Sequence, residues 1–246
     1  KIFQLKDGHR FSTDDLLVAW YGTSHCGSAS RVLDLGSGLG TVAMIAAWKL
    51  AGAQFVTIEA LEVSYRLAKK SHQYNGLSSR FDARLGDFRD PTLLAQDERF
   101  ELILGSPPYF PLDAGVLSDH PQKVACRFEM RGTVADYLKV ASRHLAPGGM
   151  ISIVFPVRPE EQLKRVHEGA LAAGLIVLKQ RKVRLKASED PLLGVFMLMR
   201  SEDLPPKFVE TLTAQTVQEP DLIIRREDGS VDPEYSAAKL SIGFPP

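Results

Sequence analysis

The chain has little cysteine: Cys26 and Cys126 are its only two in 246 residues. They form no CxxC and no metal-type spacing, which excludes a disulfide scaffold and a zinc-ribbon site. Two isolated thiols point to a reducing, cytoplasmic setting in which they serve as small apolar residues. There is no apolar run near the roughly 18 residues that a transmembrane helix needs. The start, Lys1-Ile-Phe-Gln-Leu-Lys-Asp7, has no signal-peptide layout. Net charge is absent as well, since 30 basic side chains balance 30 acidic ones. A polyanionic partner would therefore be held by a local basic patch and not by a global field. Internal repeats and low-complexity stretches are missing. His120, His144 and His167 are scattered without HxxxH or HExxH spacing, so no metal site is expected.

What is present is an alternation. A composition 44% hydrophobic and 24% charged is ordinary for a globular protein, and the length suits one α/β domain. Short apolar runs at 31–35, 54–58, 82–85, 100–104 and 150–155 read as strands, with a final strand pair at 175–185 and 194–199. Helical periods separate them at 41–50, 61–74, 133–145 and 159–173; Asn75-Gly76 and Pro147-Gly148-Gly149 act as stops. Seven strands alternating with helices predict a mostly parallel, doubly wound sheet with helices on both faces. The expected organisation is a single domain over 1–246: an N-terminal cap segment (1–30), a Rossmann-like core (31–200) and a C-terminal extension (201–246). Ligands of such sheets bind beyond the carboxyl ends of the strands, and the unusual residues fall there.

The first strand runs into Asp34-Leu-Gly36-Ser37-Gly38-Leu-Gly40, and Glu59 closes the second strand 19 residues after Gly40. Glycines let the backbone approach a ligand with no Cβ in the way. GxGxG by itself also fits a plain turn or a dinucleotide loop. A dinucleotide site, however, wants GxGxxG, and Asp34 would crowd a pyrophosphate while suiting a cationic methionyl amine. Glu59 can accept both hydrogens of a ribose diol. The segment therefore reads best as a site for S-adenosylmethionine. After the third strand, Asp87 can accept from an adenine amino group with Phe88 beside the ring, or can simply serve the turn.

Gly105-Ser106-Pro107-Pro108-Tyr109-Phe110 follows the fourth strand. Two prolines stiffen the chain and remove backbone donors, so the carbonyls are left to accept. An exocyclic base amine is a poor nucleophile because its lone pair is conjugated into the ring. Accepting its two N–H hydrogens at the Ser106 hydroxyl and the Pro107 carbonyl favours a more tetrahedral nitrogen, with Tyr109 stacked on the base. Catalysis is then positioning and electrostatics without a strong base.

These residues resemble the (Asp/Asn/Ser)-Pro-Pro-(Tyr/Phe/Trp) class I amino-methyltransferases. A narrower likeness involves both ends of the chain. Phe11-Ser-Thr13-Asp14-Asp-Leu-Leu-Val-Ala-Trp20 and the tail Leu222 to Tyr235 are similar to segments of the tRNA adenine-N6 methyltransferases that modify A37 of a valine tRNA. The resemblance implies a Rossmann-like class I methyltransferase fold, S-adenosylmethionine as cofactor and a tRNA partner; a monomer or weak dimer is expected. It also implies that Thr13 and Asp14 lie over the cofactor or the substrate pocket, although Thr13 or Asp14 could equally cap a helix. That family usually has Asn where Ser106 stands. Ser-Pro-Pro is frequent among cytosine-N4 enzymes, so a cytosine-N4 or DNA adenine enzyme is the alternative, followed by a protein or small-molecule amine methyltransferase.

Lys179-Gln-Arg181-Lys182-Val-Arg184-Leu-Lys186 holds five basic residues in eight. Lys182, Arg184 and Lys186 are candidates for phosphate contacts, unless the strip is an edge strand kept soluble by lysines. Phe110 is placed with the substrate. Arg127, Arg131, Arg225 and Arg226 are further basic candidates. The segment Pro111 to Gly132 lacks any strong period and is expected to cover the substrate.

Overall fold

The computed structural model describes residues 1–110, 120, 122–124, 128–208 and 215–245. Most of the proposed cover, including Arg127, lies outside the described residues. Among the described residues, no helix is long and apolar enough to cross a membrane.

The elements in chain order are α1 (Thr13–His25), β1 (Arg31–Leu35), α2 (Thr41–Lys49), β2 (Gln54–Glu59), α3 (Glu62–Tyr74), β3 (Phe81–Leu85) and β4 (Phe100–Gly105). They continue with α4 (Val134–His144), β5 (Leu145–Pro156), α5 (Glu160–Ala172), β6 (Leu175–Arg184), β7 (Leu193–Arg200), β8 (Val217–Ile223) and α6 (Pro233–Leu240). The sheet runs β3-β2-β1-β4-β5-β7-β6-β8, with β7 antiparallel to both its neighbours and every other pairing parallel. The doubly wound, mostly parallel sheet expected from the alternation is present.

The sheet has eight strands, where the sequence predicts seven. The added strand, β8, reads poorly as one because it carries Gln218, Glu219, Pro220 and Asp221. Those residues suit an edge, where one side of the backbone faces solvent and proline costs no ladder bond. The stop expected at Pro147-Gly148-Gly149 also differs. The helix ends at His144 and β5 starts at once, pairing Leu145 with Phe100 and then, after a register shift, Met150 with Leu102.

Alternate side chains of the central strands enter cores on opposite faces. Val32, Phe55, Leu102, Leu104 and Val154 face α1 and α2, while Leu33, Leu35, Ile58, Ile103 and Ile153 pack against α4 and α5. Burial on both faces is why these strands are continuously apolar in the sequence. Helix α1 is part of this packing: Leu16, Leu17, Val18, Ala19 and Tyr21 are buried, and Ser152 Oγ of β5 donates to Val18 O at 3.2 Å.

Gly105 ends β4 under the ring of Tyr137 from α4, whose hydroxyl donates to Leu104 O. A Cβ at Gly105 would lie 2.2 Å from that hydroxyl, and Tyr137 is only 1% exposed with no room to retreat. Gly105→Ala is expected to cost about 1–3 kcal/mol, the usual price of overpacking. Urea denaturation measures this, and an unchanged midpoint would contradict the fit described.

Candidate active site

A cavity of about 480 Å³ opens at the carboxyl ends of β1, β2, β3 and β4, within the size range of small-molecule sites. Each strand contributes its exit loop. From β1 come Asp34 to Leu39, from β2 Glu59, from β3 Gly86 to Phe88, and from β4 Ser106 to Phe110. The N-terminal segment closes it with His9, Ser12, Asp14 and Asp15, and Arg131 and Tyr137 come from the α4 side.

The loop after β1 takes its shape from three glycines at φ +69°, +55° and +73°. They are not equivalent. A Cβ on Gly36 or Gly38 would meet nothing within 4 Å, so both leave room for close approach by a ligand. At Gly40 a Cβ would lie 2.9 Å from His72 Nε2, so this glycine serves the packing of α3 and does not line the cavity.

Five carboxylates line the cavity: Asp14, Asp15, Asp34, Glu59 and Asp87. Among the described lining residues Arg131 is the sole Lys or Arg. Asp34 is 1% exposed, and burial pushes its carboxyl up to about 8, against one lowering bond from Ala43 N at 3.2 Å and with Asp15 and Glu59 adding repulsion. Burial likewise lifts Asp15 to about 7; its carboxylate accepts from Ser12 N at 3.2 Å, and Asp14 beside it raises it further. Burial raises Glu59 too, opposed by N–H bonds from Leu61 at 2.6 Å and Gly38 at 2.8 Å and by the charge of Arg131. Asp87 differs: Arg89 grips it through Nε at 2.9 Å and Nη2 at 2.6 Å, which lowers its carboxyl below the ordinary value.

The Ser-Pro-Pro-Tyr loop is tied down at Tyr109. The Tyr109 hydroxyl donates to Asp14 Oδ2 at 2.6 Å and lies 3.0 Å from Ser106 Oγ. Its main-chain oxygen accepts from Gln162 Nε2 of α5 at 3.1 Å, and its ring meets Phe155 edge-on at 5.6 Å. Burial, reinforced by Asp14, pushes the Tyr109 phenol well above its ordinary value, so its proton stays on. Phe110 is 41% exposed at the rim and pairs with Phe128 at 5.9 Å.

The fold thus brings together most residues singled out in the sequence. Asp14, Asp34, Gly36, Ser37, Gly38, Glu59, Asp87, Phe88, Ser106, Pro107, Pro108, Tyr109 and Phe110 share the one cavity; Gly40 and Thr13 do not line it. Thr13 is the first residue of α1, capped by Ser12, and its side chain acts on the phenol of Tyr235 in the tail, partly offsetting the rise that burial causes. Lys182, Arg184 and Lys186 lie outside the cavity, and the strip is not freely cationic. Lys179 pairs with Glu219 at 3.2 Å, Arg181 with Glu234 at 2.6 Å and Arg184 with Asp221 at 2.5 Å. The cause is β8 and α6, whose acids were not expected beside it. Sequence reasoning also passed over Asp15 and Tyr137 and gave Arg131 no place in the pocket. Ser12-x-x-Asp15 is a capping-box pattern that could have flagged Asp15; Arg131 and Tyr137 carry no local signal.

The residues fit S-adenosylmethionine. A cationic end would meet the buried acids that lack a cation, and a diol would meet Glu59, each of whose oxygens keeps a lone pair.

The family model for a methyltransferase domain matches residues 27–192. The tRNA1(Val) (adenine(37)-N6)-methyltransferase of Tolumonas auensis is 30% identical over 209 residues, 85% of this chain and 80% of that protein. The Pasteurella multocida enzyme of the same name is 28% identical over 236 residues, 93% of this chain and 89% of that one. Among solved structures, a predicted O-methyltransferase of Agrobacterium tumefaciens superposes with a TM-score of 0.67 at 17% identity, covering 94% of this chain and 97% of its own. TrmN of Thermus thermophilus gives 0.53 at 24% identity, over 75% of this chain and 48% of that one. At these identities the two structures show the class I methyltransferase fold alone.

The acid cluster makes pH a probe. The unfolded chain releases the Asp15 and Asp34 protons near 3.8, whereas the fold holds them to about 7 and about 8. Their contribution to stability is therefore greatest in acid and declines as pH rises from about 4 to 8. A cation in the cavity favours the ionised forms, so binding of S-adenosylmethionine at pH 7 should release protons, less so in Asp34→Asn. Calorimetry in buffers of different ionisation heat measures this. Binding without proton exchange would separate the acids from the ligand.

Proposed function

This chain belongs to the methyltransferase-domain family and, within it, to the tRNA1(Val) (adenine(37)-N6)-methyltransferases, and from that premise we propose that it methylates N6 of an adenine in tRNA, at position 37. The observation that carries the reading is the sharing of one cavity by the Ser106–Tyr109 loop and the Asp34–Glu59 end. In this reading an acceptor of exocyclic amines and a holder of a cationic nucleoside share one cavity.

S-adenosylmethionine, when bound, supplies a methyl group on a sulfonium, open to in-line attack by a nitrogen lone pair. The chain's own residues bind and orient. Glu59 takes the ribose hydroxyls with the lone pairs that Gly38 and Leu61 leave, and Gly36, Ser37 and Gly38 let the backbone come close. Asp34 and Asp15 face the ammonium end. Asp87 Oδ2 keeps a lone pair beside Arg89 for an adenine amino group, with Phe88 along the ring. On the substrate side Ser106 Oγ and the Pro107 carbonyl accept the two N–H hydrogens of the amine, and Tyr109 and Phe110 flank the base. Once the nitrogen has gained its methyl group it carries a positive charge and loses one proton to solvent, so no strong base is needed. An anticodon loop offers its bases largely unstacked, which suits a chain of this size.

The Ser106-Pro107-Pro108 sequence, which also resembles the loop of cytosine-N4 enzymes, favours cytosine-N4 as a second reading. Transfer of labelled methyl to total tRNA, followed by digestion to nucleosides, separates them. The expected product is N6-methyladenosine; label in N4-methylcytidine selects the second reading, and label absent from all nucleic acid overturns both.

β6 runs parallel to β4 and β5, so its C-terminal end, with Lys182 in the strand and Lys186 two residues beyond it, lies on the same side of the sheet as the cavity. Lys186 Nζ donates to Glu227 O at 3.3 Å and its charge helps hold the Glu227 carboxyl below its ordinary value. Replacing both lysines with alanine is expected to weaken tRNA binding and to flatten its salt dependence by roughly one unit of slope per lost phosphate contact. An unaltered slope would take the strip out of the RNA interface.

A further inference from the structure

We propose that Asp14 acts through Tyr109 to make the Ser106 oxygen an obligate acceptor, the role that an exocyclic amine requires of it. This inference rests on the reading of the substrate as an exocyclic amine.

The difficulty with serine at this place is its ambivalence. A hydroxyl is one donor and two acceptor lone pairs, and its hydrogen rotates to suit its surroundings. Turned towards the substrate, the Ser106 hydrogen would bond to the amine nitrogen and occupy the lone pair that must attack the methyl group. Turned away, it leaves two lone pairs for an N–H of the amine. An amide carbonyl has no such choice, because its oxygen only accepts.

The geometry removes the choice for Ser106. A carboxylate has no proton to give, so the 2.6 Å contact between Asp14 Oδ2 and the Tyr109 hydroxyl consumes the single phenolic proton. The Tyr109 oxygen then offers Ser106 only lone pairs at 3.0 Å, and the Ser106 hydrogen is the one proton available for that contact. The direction runs from Ser106 to Tyr109 to Asp14, and both lone pairs of Ser106 Oγ remain for the cavity, which it lines. Three further contacts hold the relay in place. Gln162 fixes the Tyr109 main chain, Phe155 fixes its ring, and Asp14 sits in the first turn of α1, a helix whose next residues are buried in the core. Asp14 is thus a positioning residue, and Tyr109 adds this orienting role to flanking the base; Ser106 is the group that touches the amine.

Asp14→Asn reverses the logic, since an amide nitrogen can donate to the Tyr109 oxygen and free the phenolic proton to point at Ser106. The Ser106 hydrogen is then turned into the cavity. Single-turnover methyl transfer should fall about 100-fold, with the dissociation constants for S-adenosylmethionine and tRNA within about threefold of wild type. Tyr109→Phe should lose as much, and adding Asp14→Asn to it should lose no more. In the Ser106→Ala background, Asp14→Asn should cost less than threefold, because the hydroxyl it orients is gone. Ser106→Asn should keep activity within about tenfold and be insensitive to Asp14→Asn. The decisive comparison is this set of rates with the two affinities and the thermal midpoint measured on every variant. An Asp14→Asn cost that is the same in the Ser106 and Ser106→Ala backgrounds, or a wild-type rate for Asp14→Asn, overturns the relay. Failure of the wild-type protein to methylate any nucleic-acid amine overturns the functional reading instead.

Discussion

Parallel pairing of β1 with β2 on one side and β4 on the other is the constraint on which the cavity depends. Asp34 lies opposite Thr57 of β2 and Leu104 of β4 in the same ladder. Strands locked in that register end at one level, so the glycine loop, Glu59 and the Ser-Pro-Pro-Tyr loop emerge side by side. Helices packed on both faces leave the strand ends as the open edge of the core. A one-residue slip in either pairing would turn the Asp34 side chain to the other face of the sheet and dissolve the arrangement.

The same geometry crowds acidic groups where little water reaches them. Asp34, Asp15 and Glu59 are all pushed towards their neutral forms by burial; Asp15 and Glu59 add repulsion at Asp34, and Asp14 adds it at Asp15. Burying charge without a partner is unfavourable, and the free protein meets this by holding protons. A ligand that brings positive charge would replace those protons. Stability, proton uptake and ligand affinity are therefore coupled through one cluster, which distinguishes this end of the cavity from the aromatic end at Tyr109 and Phe110.

The two ends of the chain meet at that boundary. Phe11 stacks on Phe244 at 5.7 Å, and Arg181 joins Glu234 to the face of Trp20. The segment that delivers Asp14 to Tyr109 is thereby clamped between the sheet and the C-terminal helix. This is a physical reason for the Thr13–Trp20 segment and the tail to occur together in one chain.

Much of the frame was legible in the residues alone. Continuous apolar runs of strand length, helical periods between them and glycines at turns are local signals, and they located seven strands, four helices and the loops that line the cavity. Glu59, Asp34 and Ser106 to Tyr109 stood out because their spacing is measured along the chain. What the tertiary structure decided are the relations that no spacing encodes. Edge strand β8 shows little apolar pattern, since an edge buries few side chains, and its acids neutralise a strip that reads as basic in isolation. Gly40 looks like its two neighbours in sequence and differs only by the approach of His72. The bond from Tyr109 to Asp14 spans 95 residues, and a hydroxyl's donor or acceptor role depends on its partner, which only folding supplies.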